Sequence, residues 1–303
     1  MVQQRKGLVN GFAAYILWGL FPLYFALFAR SGALEVVAHR AIWSLGVCLL
    51  ILAATRKLHQ LREILTNRKL AWGLAAAGVL ILVNWSMYVY GVNTGRTLDA
   101  ALGYFINPLA VTALGVLVLK ERLRPLQWAA MASGVVAVVV LLIGYGRFPY
   151  IALTLAFSFG TYSLVKKLAG ASVAPVPGLA FETATVTPIA LGYLIYLAVV
   201  GQSTFGLSGG YGALLATTGI ITAIPLLLFA VAAREVSMVT LGMLQYIAPV
   251  GQFLLGWLVF HEPMPLSRWL GFGFVWLAIA LFVTDVVLAV RTPSKRGGAS
   301  ADV

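Results

Sequence analysis

The sequence is poor in the residue types on which metal sites and many catalytic sites depend. Cys48 is its only cysteine, so neither an internal disulfide nor a thiolate metal cluster is expected. The three histidines, His39, His59 and His261, lie on separate segments without metal-ligand spacing. The sequence also lacks the HExxH, Walker and EF-hand motifs, an arginine ladder and a TVGYG filter. It therefore predicts no metal, no cofactor and no catalytic residue, and it argues against a channel.

Charge is also scarce, and long apolar runs take its place. Charged residues make up 10% of the chain, against about 25% in soluble domains. Hydrophobic residues make up 61%, and the mean hydropathy is +0.95. The apolar residues form ten runs of about twenty residues, the length that crosses a bilayer core. Backbone groups in lipid must bond internally, and the runs do not alternate, so they are predicted to be helices. The predicted spans are 8–28, 34–54, 70–90, 97–119, 125–143, 148–167, 178–200, 210–232, 238–260 and 267–290.

The net charge of +12 is explained by the position of the basic residues. If the N-terminus is cytoplasmic, sixteen of the 21 lysines and arginines lie on the inner side, and Arg40 lies within a span. The four on the outer side are Arg30, Arg96, Arg147 and Arg268. This bias predicts a multi-pass protein of a bacterial-type cytoplasmic (inner) membrane with both termini in the cytoplasm. The basic face meets the lipid bilayer, and no nucleic-acid partner is expected.

A segment of the chain returns at a constant offset of 141 residues. Pro108, Gly115, Glu121 and Trp128 match Pro249, Gly256, Glu262 and Trp269, and Ile106, Leu114, Leu117 and Val118 match Ile247, Leu255, Leu258 and Val259. The offset spans five predicted helices, and five is odd, so matched helices cross the membrane in opposite directions. The predicted fold is therefore an all-α integral membrane protein with ten transmembrane helices in two inverted-topology five-helix repeats. The repeats are assigned to 1–144 and 145–290, and 291–303 to a disordered cytoplasmic tail. Segment 55–69 is predicted to form a short amphipathic helix on the inner surface.

Five short motifs carry a family resemblance. They are AYILWGLFPLY at 14–24, HRAIWS at 39–44, NW at 84–85, YFINP at 104–108 followed by ERL at 121–123, and LQYIAP at 244–249. Together they resemble the RarD-type transporters of the EamA group, in the drug/metabolite transporter superfamily. The resemblance extends from about Gly7 to Val287. It implies ten spans and secondary transport of small metabolites or drugs, and the motif positions become candidate binding residues.

Three ionisable residues inside predicted spans are candidates for function. Arg40 lies about 9 Å inside the outer end of its span, where a charge costs about 2.5–3.5 kcal/mol. It is predicted to face protein or water and to anchor an anion or carboxylate. The structural alternative is an arginine that snorkels outward. His39 and Glu182 are candidates for coupling to protons, with a structural hydrogen-bonded histidine and a helix-capping glutamate as the alternatives.

Prolines within the predicted spans mark candidate gates, because proline removes a backbone hydrogen bond and bends its helix. The gating candidates are Pro22, Pro108 and Pro249. Polar and aromatic residues near these kinks and on the other central helices are predicted to line a cavity. The predicted substrate-binding residues are Trp18, Tyr24, Arg40, Trp43, Asn84, Trp85, Tyr88, Tyr104, Asn107, Tyr162, Gln245, Tyr246 and Gln252. For each of them the alternative is ordinary packing or hydrogen bonding between helices.

Glu121 and Glu262 each precede a proline-marked helix start, at Pro125 and Pro265. We interpret both as turn residues whose carboxylates favour the positive end of the helix that follows. They are expected to support the architecture rather than the chemistry.

The sequence as a whole predicts a secondary active transporter that exports small organic metabolites or drugs by alternating access. Its partners are a small organic solute and the bilayer. Proton coupling, uniport and exchange all remain open, as does the oligomeric state. A membrane-embedded enzyme or lipid scramblase, and a receptor or structural subunit that transports nothing, are the alternative functions.

Overall fold

The computed structural model describes residues 2–94, 97–143, 148–259, 261 and 266–291. Within these residues the protein is all-helical, in agreement with the predicted class. The helices are α1 (Val2–Phe25), a 3₁₀ turn (Ala26–Phe28), α2 (Ala33–Ala54), α3 (His59–Thr66), α4 (Arg68–Asn93), α5 (Thr97–Leu117), α6 (Pro125–Leu142), α7 (Tyr150–Ala169), α8 (Pro175–Val199), α9 (Gly209–Glu235), α10 (Met238–Leu244), α11 (Ile247–Leu258) and α12 (Leu266–Arg291). The short α3 lies within the segment predicted to form an amphipathic helix.

Several of these helices have the length and composition of membrane spans. In the described part of the chain, five qualify: Gln3–Phe28, Ala33–Ala54, Arg68–Gly91, Pro175–Val199 and Gly209–Glu235. Shorter apolar helices cover Leu102–Leu117, Pro125–Val140 and Gly273–Asp285. The surface of the helix bundle carries large apolar side chains, including Trp72 and Val199, which are 74% and 81% exposed. An apolar surface of this kind fits lipid rather than water.

The helices pack in a regular set of pairs. α1 packs against α9 and α11, and α7 packs against α4 and α5. α2 packs against α8 and α9, and α4 also packs against α8. Two further pairs, α6 with α12 and α5 with α10, complete the bundle. The core at its centre includes the fully buried rings of Tyr15, Tyr162, Phe229 and Tyr246.

Glycines allow the closest approaches between helices. The backbones of α2 and α9 meet at Trp43 and Gly219, where a Cβ on the glycine would collide with the Trp43 backbone. α1 and α11 meet at Gly19 and Gly251, where a Cβ on Gly251 would lie 3.1 Å from the Gly19 Cα. Small residues at such crossings let helices gain packing energy in lipid.

The ninth predicted span is not one helix. The sequence predicts a continuous helix over 238–260, but α10 ends at Leu244 and α11 begins at Ile247. Pro249 has no N–H to donate to the Gln245 carbonyl, and that carbonyl instead accepts from the Ala248 N–H at 3.3 Å. The tightened turn separates the two helices. Its counterpart Pro108 lies within an unbroken α5, so the two repeated prolines have different effects.

Some predictions fall outside the described residues. These are the placement of Glu262 and Pro265, most of the 291–303 tail, and the end of the first repeat at 144.

Candidate functional site

A cavity of about 280 Å³ lies inside the bundle. Its walls are formed by α1, α2, α4 and α5, with contributions from α7, α9 and the segment around the α10–α11 break. Most of the lining comes from three stretches, 15–28, 33–40 and 81–89. The volume is close to the lower end of the range for small-molecule sites, about 300–1,000 Å³, and therefore fits a small organic solute.

Nine of the 24 described residues that line the cavity are aromatic. Trp18 lies edge-on to Tyr15 and Phe159, with ring centroids 5.2 Å and 5.9 Å away. On the other side, the rings of Tyr88 and Tyr104 lie 5.7 Å apart. These rings offer flat apolar faces against which an aromatic or planar solute can stack.

Arg40 places a positive charge on this aromatic wall. Its Nε donates to the Thr222 hydroxyl at 3.0 Å. Its guanidinium carbon lies 4.2 Å from the Trp85 ring centroid and 5.1 Å from that of Phe25. Among the described residues, no carboxylate lies within ion-pair distance of Arg40. The stacked rings fix the guanidinium in place without neutralising it.

The cavity also contains neutral polar side chains. Asn107 and Gln245 are buried, at 6% and 4% exposure. The Asn107 Oδ1 and both polar atoms of the Gln245 side chain have no hydrogen-bond partner among the described residues. The Tyr15 hydroxyl lies beside Gln245 without reaching hydrogen-bond geometry. Buried amides are normally satisfied, so these atoms are suited to bind a polar group that enters the cavity.

Two other lining amides have structural partners. Asn84 donates to the Leu155 carbonyl at 2.9 Å and to the Ser158 hydroxyl at 3.0 Å. Gln252 donates to the Trp18 carbonyl at 3.2 Å. These bonds tie α4 to α7 and α11 to α1, and they hold the cavity walls in register.

The described lining of the cavity reaches one end of the bundle. It extends to Phe28 and Ser31, where α1 leads into α2. In the opposite direction it stops above Tyr162 and Phe229, which are both fully buried and stacked with centroids 5.9 Å apart. The α1–α2 connection therefore offers an entry for a solute, whereas the buried rings of Tyr162 and Phe229 close the opposite direction.

A buried ion pair lies beneath this closed end. The Lys166 Nζ is 2.7 Å from the Glu182 Oε1, and the Tyr162 hydroxyl donates to the Glu182 Oε2 at 3.3 Å. Lys166 is 5% exposed and Glu182 is 1% exposed. The interpretation of Glu182 as an interfacial helix cap is wrong, because Glu182 lies about two turns inside α8, which begins at Pro175, and its carboxylate accepts from Tyr162 and Lys166 of α7. Lys166, one of the sixteen basic residues predicted to lie on the inner side, is buried.

Glu121 closes the same end by capping a distant helix. Its two carboxylate oxygens accept the backbone N–H groups of Met238 and Val239 at 2.8 Å and 2.9 Å. The expectation that Glu121 serves the helix starting at Pro125 is therefore wrong, since it caps α10. The start of α6 is satisfied by Gln127, whose side chain accepts from the Arg124 N–H at 3.0 Å. A carboxylate at the positive end of α10 is nevertheless the favourable placement.

Two further contacts link elements near this end. Arg124 pairs with Asp285 of α12 at 2.5 Å, and the Lys167 ammonium donates to the Val236 carbonyl. The closed end is thus joined by charge-assisted bonds between segments that are far apart in sequence.

The sequence profile of the EamA-like transporter family matches residues 5–143 and again 149–284. The chain belongs to this family. The two matches together cover nearly all of the chain.

Curated relatives place this EamA-like transporter among the RarD-type members. Protein RarD of Streptomyces exfoliatus is 51% identical over 301 residues, which cover 99% of this chain and 95% of that protein. The uncharacterized transporter YojE of Bacillus subtilis is 42% identical, with 94% of this chain and 96% of YojE covered. Protein RarD of Escherichia coli K12 is 37% identical, with 97% and 99% covered.

A solved crystal structure shares the fold of this EamA-like transporter. This crystal structure aligns with a TM-score of 0.71 at 18% identity. The alignment covers 95% of this chain and 99% of the other. Family, relatives and apolar helices together make the chain a multi-pass inner-membrane transporter of the drug/metabolite kind, with small solutes as substrates and lipid around it.

Nine of the thirteen predicted substrate-binding residues line the cavity. They are Trp18, Arg40, Asn84, Trp85, Tyr88, Tyr104, Asn107, Gln245 and Gln252. The gating candidates Pro22 and Pro249 also line it. The sequence analysis missed other lining rings, notably Tyr15, Phe21, Phe25 and Phe159. Phe159 could have been found, because it is the counterpart of Trp18 at the 141-residue offset.

The other predicted site residues lie outside the cavity lining. Tyr162 and Glu182 belong to the ion-pair cluster, and Pro108 lies behind the wall against Gly242. The Tyr246 ring is buried, with its hydroxyl against Gly134.

His39, Trp43 and Tyr24 face the loop before α9 or α9 itself. The Trp43 Nε1 donates to the His39 Nδ1 at 3.2 Å, and both rings stack on Phe205. The Tyr24 hydroxyl bonds to the Thr217 hydroxyl at 2.7 Å. These three residues hold α1 and α2 against the neighbouring segment rather than contacting the cavity.

Proposed function

We propose that this EamA-like transporter is a secondary active exporter of small organic solutes that works by alternating access. The observation that carries the proposal is a cavity, closed at one end, whose wall combines aromatic rings, an unneutralised arginine and unpartnered amides. Such a site can bind a solute from one side of the membrane and must rearrange to release it on the other.

We further propose ten spans arranged as two inverted repeats, of which α10 and α11 form one broken span. Support comes from the packing pairs, which reproduce one another when each helix is exchanged for its counterpart. The pair α1–α9 becomes α7–α4, and α1–α11 becomes α7–α5. The Ser133 hydroxyl donates at 2.8 Å to the carbonyl of Phe274, the residue 141 positions later. A residue that bonds its own counterpart is expected at a two-fold axis.

The close helix crossings repeat in the same way. Gly19 contacts Gly251, and their counterparts Gly160 and Ala110 also contact each other. Two separate matches to the family profile, before and after residues 144–148, agree with the proposed division into repeats.

We propose that both termini are cytoplasmic, so that the cavity opens to the outside and the closed end faces the cytoplasm. The distribution of basic residues supports this orientation. An inward-open state would then require the bonds at the closed end to separate, including Lys166–Glu182 and the Glu121 cap on α10. The break at 245–246 provides a hinge for this movement, because Gln245 belongs both to the break and to the cavity.

Proton coupling, if the exporter uses it, would act through Glu182 or His39. Glu182 is held by Lys166 and Tyr162, and His39 by Trp43, so a change of protonation would break a defined contact in either case. Each group lies beside the cavity rather than in it. Its protonation would therefore act on the helix movements that open and close the cavity, not on the solute directly.

Counterflow in reconstituted vesicles tests the transport proposal. A thermal-shift screen of purified protein against anionic, zwitterionic, cationic and neutral metabolites selects the labelled solute, because a bound ligand stabilises by mass action. Trp18→Ala should abolish counterflow, whereas Trp72→Ala, which changes a lipid-facing tryptophan that is 74% exposed, should preserve it. Full counterflow by Trp18→Ala would remove the cavity from the mechanism. Loss of labelled lipid asymmetry in the same vesicles, without counterflow, would favour the scramblase alternative.

A further inference from the structure

We infer that the solute is a monovalent organic anion with a flat aromatic body and a neutral hydrogen-bonding group, a conclusion that rests on the proposed transport function. The inference comes from the charges that the cavity presents, from the geometry of Arg40 and from the unpartnered amides.

The charge of the cavity determines the charge of its ligand. Among the described residues of the lining, Arg40 is the only charged one, and none of them is an aspartate, glutamate, lysine or histidine. An anion would neutralise this arginine, whereas a cation would add to an uncompensated charge in a poorly solvated site. A zwitterion would place its ammonium group among aromatic rings and amides, with no carboxylate among the described lining residues to pair with it. The cavity therefore favours a solute with one negative charge and no positive one.

The orientation of Arg40 favours a carboxylate in particular. The Nε donates to Thr222, and the guanidinium carbon lies over the Trp85 ring, 4.2 Å from its centroid. Arg40 lines the cavity, and its terminal Nη groups have no hydrogen-bond partner among the described residues. Two parallel N–H donors match the two oxygens of a carboxylate, which a lysine ammonium cannot do equally well.

The rest of the cavity suits an aromatic body with a neutral polar end. Tyr88 and Tyr104 line the same cavity as Arg40, with their ring centroids 5.7 Å apart. Asn107 follows Tyr104 by three residues, about 4.5 Å along α5. Asn107 offers an acceptor, and Gln245 offers both a donor and an acceptor. A hydroxyl group on the solute can satisfy such amides, whereas a second charge would lack a counter-ion.

Four compounds that share a hydroxyphenyl ring test this inference. They are 3-(4-hydroxyphenyl)propionate, its neutral amide, tyrosine and tyramine, which carry respectively one negative charge, no charge, both charges and one positive charge. Affinities are measured on the purified full chain by thermal shift over a range of ligand concentrations. The anion should bind at least tenfold more tightly than the amide, and tyrosine and tyramine should both bind more weakly than the anion.

Arginine variants assign the preference to the cavity. Arg40→Gln should lower the anion-to-amide ratio to about one, and because the ratio compares two ligands on the same protein, a change in stability does not affect it. Arg40→Lys should retain part of the preference. Arg30→Gln, which removes an exposed positive charge outside the lining, should leave the ratio unchanged.

The outcomes separate the solute class from transport itself. Tightest binding by tyramine or by the amide, or no binding of any of the four to folded wild-type protein, would overturn the inference about the anion. Transport would still be judged by the solute found in the metabolite screen. If the anion binds with the expected preference but shows no counterflow, the class of ligand stands and the proposed transport function fails.

Discussion

Removing one partner of the Lys166–Glu182 pair should destabilise the protein more than removing both. Both side chains are at least 95% buried, and their charged atoms lie 2.7 Å apart. Lys166→Met leaves the carboxylate without its cation, and Glu182→Gln leaves the ammonium without its anion. Each change strands one charge in a site that water does not reach.

The expected magnitude follows from burial. Breaking a buried ion pair by removing one partner costs about 3–5 kcal/mol, whereas replacing the whole pair with neutral groups of similar volume is often close to neutral. In Glu182→Gln the amide oxygen can still accept from Tyr162, so the loss is chiefly that of the charge. The double variant should therefore lose less stability than either single variant, with a coupling energy of at least about 2 kcal/mol.

Reversible unfolding of the four proteins in a mixed-detergent titration measures this cycle. The matched control is the pair His59–Glu63, whose side chains are 62% and 69% exposed at 3.9 Å. Glu63→Gln should leave the midpoint unchanged, because an exposed pair contributes little. Single-variant losses that simply add in the double variant would refute the reasoning, since they would mean that each group stabilises the fold independently.

Three further predictions concern packing, capping and topology. Gly219→Ala should cost about 1–3 kcal/mol in the same titration, because its Cβ would meet the facing backbone. Gly192→Ala, with open space around its Cβ, should lose no stability, and equal effects would contradict the proposed crossing. Glu121→Gln should cost about 1–2 kcal/mol, since the start of α10 loses its charged cap, and an unchanged melting temperature would speak against that role. In a cysteine-free background, Ala29→Cys should react with an impermeant maleimide in intact cells and Glu63→Cys only after permeabilisation. Labelling of both in intact cells would reverse or remove the proposed orientation.

Arg40 shows how far the physics of the bilayer guides a sequence reading. A charge within a span has few tolerable environments, so its position alone predicts that it faces protein or water. The same reasoning does not tell which rings will surround it. Phe21 and Phe25 contact its guanidinium. Phenylalanine is also common at lipid-facing positions, so only the rotation of α1 about its axis determines that these two rings face the cavity.

Lys166 shows what the sequence does not predict, namely the direction in which a residue faces around its helix. Counting basic residues assigns each lysine to a side of the membrane but gives no rotation about its helix. Lys166 is buried and its neighbour Lys167 is half-buried. Lys166 binds Glu182 of α8, whereas Lys167 binds the carbonyl of Val236, just after α9. Which of them would meet Glu182 depends on how α7 packs against α8, which hydropathy does not encode.

The repeated prolines illustrate a further limit. Pro108 and Pro249 occupy equivalent positions, so the sequence predicts equivalent kinks. The structure has an unbroken α5 and a break before α11, because the freed carbonyl can be accommodated in more than one way. The choice depends on neighbouring helices, and internal sequence identity does not reveal it.

Arg40 also determines how membrane voltage would act on a transport cycle. A carrier that binds a monoanion at this residue is neutral at its site when loaded and positive when empty. A full charge crossing the field is worth about 2.3 kcal/mol per 100 mV, and the interior of a cell is negative. The return of the empty carrier from outside to inside would then be the electrically driven step. Net movement of one negative charge outward per cycle would let the resting potential alone drive export.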